Sequence, residues 1–421
     1  MRRRAQSKGI TLSFLQITVY TAQLMIILFD VDGVLIESLA YHAALKQTVA
    51  HFSRRLGLGE LTLTSADIEV YESQSITVEW ESGAISVAAL FIERLKALTN
   101  PALDPTLAPD FWTTFDQSSA PPVIVPRPDF SALARFIGET TPAGRPAAST
   151  ALAFFLEQIN QHGLNTHPSG ALRLEQLLAY CREIDHAPVM QIFQNTLLGH
   201  QHYTESYAVP AHFESEPLLK KLDRPYLTPA MSKQLLARRA AGEIFPVLYT
   251  ARPSLAPLEV STPLRGYTPE SEIGREMVGL DSVPAIGYGK MDWLGREIGR
   301  RGGELVKPSP LHALAAMGAA RSGLEVASLQ AALAVEQDDA LQAPLAACAG
   351  ETVHVFEDST GGLRAAAAAV DKLNQLGAQV KLVRHGIAQP GSPKRAALEK
   401  VTDRLHEDVN EGLEGILGAR D

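Results

Sequence analysis

Apolar strands alternating with helical segments predict an α/β protein: a Rossmann-like parallel sheet with a large, mainly helical domain inserted after its first strand. Three observations carry this. The run MIILF at 25–29 is short, continuous and apolar, as a strand buried on both faces requires. Runs of the same kind recur at 245–249, 353–356 and 379–383, with helix-like stretches near 233–243, 311–320 and 363–376. The alternation stops after residue 38 and resumes only near residue 236.

Taken in order, the first strand ends at DVDGV, and a helix is expected from about Ser38. Ile85, Ala88, Ala89, Ile92 and Leu95 are spaced like one face of an amphipathic helix. Seven prolines between residues 100 and 130 rule out a single helix there and predict a long irregular connection. TPAGRPAAST at 141–150 reads as a second connection with a helix start at Ser149 or Thr150. Residues 151–195 read as helices broken near HPSG at 167–170. The stretch from Lys394 to Leu417 reads as one charged amphipathic helix. The expected division is therefore a core of 25–38 plus 236–421, with 39–235 inserted.

Residues 10–29 carry no charge and follow Arg2, Arg3 and Arg4, a pattern shared with signal anchors. Thr, Ser, Gln and Tyr dilute the first half, and Met25 to Phe29 are needed as a strand. The expectation is a disordered extension at 1–24, a functional start at Met25, and no membrane partner.

Composition narrows the classes. With 46% hydrophobic and 20% charged residues, the chain is of ordinary globular type. A net charge of -9, from 38 basic and 47 acidic residues, gives no basic footprint for nucleic acid. Cys181 and Cys348 form no C-x-x-C pair, which points away from zinc and towards a reducing, cytoplasmic compartment.

The chemistry begins at IILFDVDGVLIES, residues 26–38. An apolar strand delivers Asp30 and Asp32 at its C-terminal end, where open α/β sheets bind ligands. Two neighbouring acids can divide labour, one ionised as nucleophile and one carrying a proton. Asp-x-Asp-Gly also occurs in plain turns and calcium loops, but a calcium loop would continue with oxygen ligands where Val34, Leu35 and Ile36 stand. Further along, VLYTARP (247–253) ends a strand at Thr250 with Arg252 beside it. ELVKPSP (304–310) presents Lys307, and VHVFEDSTGG (353–362) ends a strand at Glu357 and Asp358.

In that order these segments resemble the four motifs of the haloacid dehalogenase superfamily, in its phosphoglycolate phosphatase and β-phosphoglucomutase-like branch. The resemblance covers about 200 residues of core and leaves the insertion unmatched. It implies a magnesium-dependent phosphatase acting on a small-molecule phosphate ester. Asp30 would be the nucleophile that forms an aspartyl-phosphate, and Asp32 the general acid and base. Thr250 and Lys307 would hold the phosphoryl group, with Arg252 as an optional further phosphate contact or else a surface arginine. The metal ligands would be Asp30, the backbone carbonyl of Asp32, and the Glu357/Asp358 pair, chiefly Asp358. The acid at position 32 disfavours dehalogenation and phosphonate cleavage, because those branches lack it. A phosphomutase shares all four motifs and stays open, as does a non-catalytic scaffold built on the insertion.

The insertion lies where the family places its C1 cap, although it is much longer than the usual small helical cap. Within it His162, His167, His186, His200, His202 and His212 suggest metal ligands only if they converge. HQH at 200–202 reads better as a surface loop, and Trp80 and Trp112 as packing residues. Nothing local decides whether Tyr71 and Glu72 face the active site. Substrate identity and oligomeric state are not legible.

Overall fold

A computed structural model of the chain describes residues 24–115, 119–142, 145–164, 168–260, 265–337, 339–392 and 394–418. The expected extension, apart from Leu24, and His167 lie outside the described residues. β1 (Met25–Phe29) leads into a tight turn and a short strand, β2 (Ile36–Glu37). Among the described residues nine α-helices follow: α1 (Ala40–Arg55), α2 (Ser65–Ser73), α3 (Glu79–Ala97), α4 (Pro109–Thr113), α5 (Phe130–Thr140), α6 (Ala147–Gln161), α7 (Pro168–Leu178), α8 (Pro188–Tyr207) and α9 (Leu218–Leu222). The chain returns through β3 (Arg224–Pro225), α10 (Pro229–Ala240), β4 (Ile244–Tyr249), α11 (Glu270–Met277), β5 (Ala285–Ile286) and α12 (Tyr288–Glu297). It ends with α13 (Pro310–Ser322), α14 (Glu325–Gln337), β6 (Thr352–Glu357), α15 (Thr360–Gln375), β7 (Lys381–Ile387), α16 (Arg395–Leu398), β8 (Arg404–His406) and α17 (Val409–Leu417).

The architecture is α/β, with a helical insertion after the first strand. Six strands form one sheet in the order β5-β4-β1-β6-β7-β8, and every pairing in it is parallel. β1 therefore sits centrally, paired on one side with β4 and on the other with β6. The two-residue side-chain period divides its residues between two cores. Ile26 and Leu28 join Val247, Tyr249, Val353 and Val355 under α13 and α15. Ile27 and Phe29 join Leu248 and Phe356 under α10 and α17. With both faces covered, all of β1 must be apolar, and its sequence is.

A third core fills the insertion. Its centre is α3, which is buried on nearly every side rather than along one face. Ser82, Gly83, Ala84, Ser86, Ala88 and Ala89 keep this helix thin enough for α1, α6, α7 and α8 to pack around it. The proline-rich connection is irregular as expected, broken only by short turns and α4. It is pinned by the buried ion pair of Arg94 with Asp104. Both linkers between sheet and insertion meet where β2 pairs antiparallel with β3. No helix among the described residues is long and apolar enough to cross a membrane.

Several element boundaries differ from expectation. α6 starts at Ala147, after Pro146, because proline suits a helix start. The break expected near HPSG is present, since α6 ends at Gln161 and α7 opens at Pro168. His200 and His202 lie within α8, beyond a kink at Gly199, and not in a loop. The expected C-terminal helix is interrupted: β8 pairs with β7, and Asp408 then caps α17 by accepting the N–H groups of Asn410 and Glu411.

Candidate active site

The site lies at the C-terminal edge of the central strands. Asp30 is the first residue beyond β1 and extends its ladder, its N–H donating to the Phe356 carbonyl at 3.0 Å. Thr250 follows β4, Glu357 ends β6, and Asp358 follows it. Lys307 comes from the loop before α13. Its ammonium lies 2.9 Å from Asp30 Oδ1 and 2.6 Å from Glu357 Oε1. The same ammonium sits 4.6 Å from the centre of the Tyr249 ring, a cation–π contact. One carboxylate oxygen from each of Asp30, Glu357 and Asp358 lies within 4.8 Å of the other two.

Two glycines make this crowding possible. Gly33 has φ +73°, and a Cβ there would lie 2.2 Å from Asp358 Oδ2. A Cβ on Gly362 would lie 1.8 Å from Glu357 Oε1, whereas Gly361 meets nothing within 4 Å. Gly362 is thus the member of the pair that the site requires. Ser359 caps α15 by accepting the Gly362 N–H at 3.3 Å, and its hydroxyl donates to Glu357 Oε2 at 2.9 Å.

Lys307 is held by a residue the sequence analysis passed over. Its backbone N–H donates to His312 Nδ1 at 3.2 Å, which leaves Nε2 as the protonated nitrogen, 2.9 Å from the Ile286 carbonyl. Burial pushes the His312 pKa down to about 3, so the ring stays neutral in this role. Only its position in the first turn of the helix after Lys307 could have drawn notice.

Burial, and next the neighbouring Glu357, raise the Asp30 pKa well above the carboxylate range, and Lys307 only partly opposes them. Asp358 Oδ2 is paired with Lys394 at the rim. Three acids thus face two lysines, one buried (Lys307) and one at the exposed rim (Lys394). All the donors are hard oxygens, a set that fits a small divalent cation such as magnesium.

Asp32 stands apart from this knot. Desolvation disfavours its charge, but the Arg252 guanidinium and hydrogen bonds from Arg252 and Ser38 outweigh that and lower its pKa. Arg252 Nε and Nη2 lie 2.9 and 2.7 Å from Asp32 Oδ1. Nη2 also reaches Asp223 Oδ2 at 2.9 Å and Ser38 Oγ at 3.0 Å. The expectation of a surface arginine is therefore corrected: Arg252 is 3% exposed. Its Nε and Nη2 are engaged by Asp32, Asp223 and Ser38, while Nη1 makes no hydrogen bond. Thr250 is fully buried, and its Oγ1 accepts the Arg252 N–H at 3.1 Å, keeping its own proton as a donor.

Of the remaining candidates, Tyr71 is buried against Ser86, within the insertion core, and Glu72 pairs with His42. Trp112 is buried in that core, and Trp80 packs on Phe193. His200 contacts Ser215 and Glu214, and His202 contacts Glu205. Among the described residues only Asp30, Glu357 and Asp358 converge as a candidate metal group.

No protein-family model and no curated protein matches the chain. Solved structures do resemble it. A Northeast Structural Genomics Consortium target aligns with a TM-score of 0.61 and 16% identity over 93% of this chain and 98% of its own. At that identity the likeness shows a shared fold and nothing further. A phosphatase from Thermococcus thioreducens aligns at 0.44, with 16% identity over 94% of this chain and 100% of its own. A hydrolase from Pseudomonas syringae aligns at 0.31, with 13% identity over 94% and 99%. Scores this low carry no argument about activity.

Proposed function

We propose that the chain is a magnesium-dependent phosphatase that hydrolyses a small-molecule phosphate ester through an aspartyl-phosphate on Asp30. The observation that carries this reading is the meeting of Asp30, Lys307, Glu357 and Asp358, drawn from three distant stretches of chain, at one end of the central strands.

Val31 N–H and Lys307 both hold Asp30 Oδ1. Oδ2 is thus the oxygen assigned to attack phosphorus, forming an Asp30 Oδ2–P bond as the ester P–O bond breaks. Lys307 offsets negative charge on Asp30 and on the transferring group, and Thr250 donates its hydroxyl proton to a phosphoryl oxygen. Asp32, whose ionised form Arg252 and Ser38 favour in the free protein, would take up a proton before the ester breaks, give it to the departing alkoxide, then take one from the water that attacks phosphorus and frees Asp30. When bound, magnesium supplies the charge neutralisation that lets an anionic ester approach a carboxylate; Asp30, the Asp32 carbonyl, Asp358 and Glu357 would hold it. The insertion, from Leu39 to Asp223, serves in this reading as a cap that restricts water and selects the substrate.

The test is hydrolysis of 4-nitrophenyl phosphate by wild type, by Asp30→Asn and in EDTA. Magnesium-dependent turnover that vanishes in the variant supports the reading; turnover undiminished by the substitution overturns it.

A further inference from the structure

We infer that Asp223 is a positioning residue for the reaction, acting through Arg252 to set the place of Asp32. The inference rests on the phosphatase reading for what Asp32 does. Asp223 lies where the chain leaves the insertion, one residue before β3. Its side chain is fully buried, and its two oxygens point different ways. Oδ1 accepts the N–H groups of Leu39 and Ala40, at 2.9 and 2.8 Å, where the chain enters the insertion. Oδ2 accepts from Arg252 Nη2 at 2.9 Å. One carboxylate thus joins the exit, the entrance and the arginine that grips Asp32.

Arg252 has few other ways to be held. Its guanidinium lies 5.4 Å from the centre of the Tyr41 ring. Nη1 is buried and makes no hydrogen bond, and it would lie 3.1 Å from a Cβ on Gly274. Nε and Nη2 carry all of its directed contacts, shared among Asp32, Ser38 and Asp223. Asp32 has no comparable packing of its own, because its side chain is 40% exposed at the tip of a turn. Its orientation is therefore set by Arg252 together with the Ser38 hydroxyl, which donates to Asp32 Oδ1, and that of Arg252 by Asp223.

The simpler alternative is that Asp223 only caps α1. Asp223→Asn separates the two roles: the amide oxygen can still accept at the helix start, but its NH2 group cannot accept from Arg252. The readout is dependence on the leaving group. An alkoxide needs the proton from Asp32, whereas 4-nitrophenolate departs without one. Asp223→Asn should lower kcat/KM, which reports formation of the phosphoenzyme and not its hydrolysis, by roughly 10^2-fold on an alkyl phosphate such as glycerol 2-phosphate, and far less on 4-nitrophenyl phosphate. Within an Asp32→Asn background it should add almost nothing. Arg252→Lys, which keeps the charge but cannot bridge two carboxylates, should repeat the pattern.

Equal losses of kcat/KM on both esters would show a structural cap alone and overturn the inference. Hydrogen exchange gives a reading independent of catalysis, since releasing Arg252 should speed exchange in the turn at 31–36. Unchanged exchange there in Asp223→Asn would also overturn it. Wild type that turns over no ester while the exchange effect is present would instead sink the phosphatase reading and leave the physical coupling standing.

Discussion

Arg94 with Asp104, in the insertion, and Lys307 with Asp30 and Glu357, at the sheet edge, are both buried ion pairs, but their charges balance differently. Arg94 Nε and Nη2 engage both Asp104 oxygens, and Nη1 donates to the carbonyls of Leu56 and Pro121. Asp104 also accepts from the Thr106 N–H and hydroxyl. Desolvation works against the Asp104 charge, yet these bonds win and its pKa falls. One cation meets one anion, each satisfied, and the pair ties down a proline-rich connection. At the sheet edge burial wins, the Asp30 pKa rises, and acids outnumber lysines. A balanced pair ties down a connection; an acid excess gathered at a strand edge is what the proposed cation and reaction would use.

The largest expected effect sharpens this contrast. Asp30→Asn should reduce turnover by on the order of 10^4-fold or more. In magnesium-free urea denaturation it should not destabilise the protein, because it removes a charge that burial disfavours. Arg94→Ala should do the reverse. It strands Asp104 and should cost about 3–5 kcal/mol in the same denaturation, with specific activity of the folded fraction retained. A destabilised Asp30→Asn beside an unaffected Arg94→Ala would break the comparison.

Next in size is the response to metal. Magnesium at a hundredfold excess over its Kd should stabilise wild type by about 2.7 kcal/mol. Thermal shift should show that gain largely lost in Asp358→Asn and retained in Arg94→Ala.

The smallest effects are of pH, and their signs differ between the regions. Burial first, against opposing contacts from Tyr41 and Arg252, raises the Glu270 pKa to about 7. The folded state then holds a proton that the unfolded state lacks. This group's contribution thus grows as pH falls through 7 towards its ordinary value. Glu270→Gln should exceed wild type in stability at pH 8, and the gap should close near pH 5. Asp67, in the insertion, is lowered to about 2, since hydrogen bonds from Thr64, Ser131 and Arg127 overcome desolvation. Its contribution, about 2 kcal/mol, is complete above pH 4 and lost as pH falls towards 2. Denaturation of Asp67→Asn and wild type across that range measures it.

The same contrast explains what could be read from sequence. Asp30, Thr250, Glu357 and Asp358 end strands whose apolar runs are local signals, and a parallel sheet places such ends side by side. Asp223 acts through partners far away in the chain, and His312, although only five residues after Lys307, is fixed by the Ile286 carbonyl as well, so neither stands out as a motif. Arg252 was visible beside Thr250, but its role depends on Asp32 and Asp223, to which only the folded chain brings it. β8 is three residues long and exists by pairing with β7, so periodicity alone continued a helix through it. In α3 the spacing marked one apolar face, while the small residues between let neighbours bury the others.

The most direct test of the central claim is to trap the covalent species. Enzyme mixed with magnesium and a turned-over ester, quenched in acid within milliseconds and digested, should yield a peptide phosphorylated at Asp30 and at no other residue. Steady turnover with the phosphoryl group found on another side chain would contradict the account.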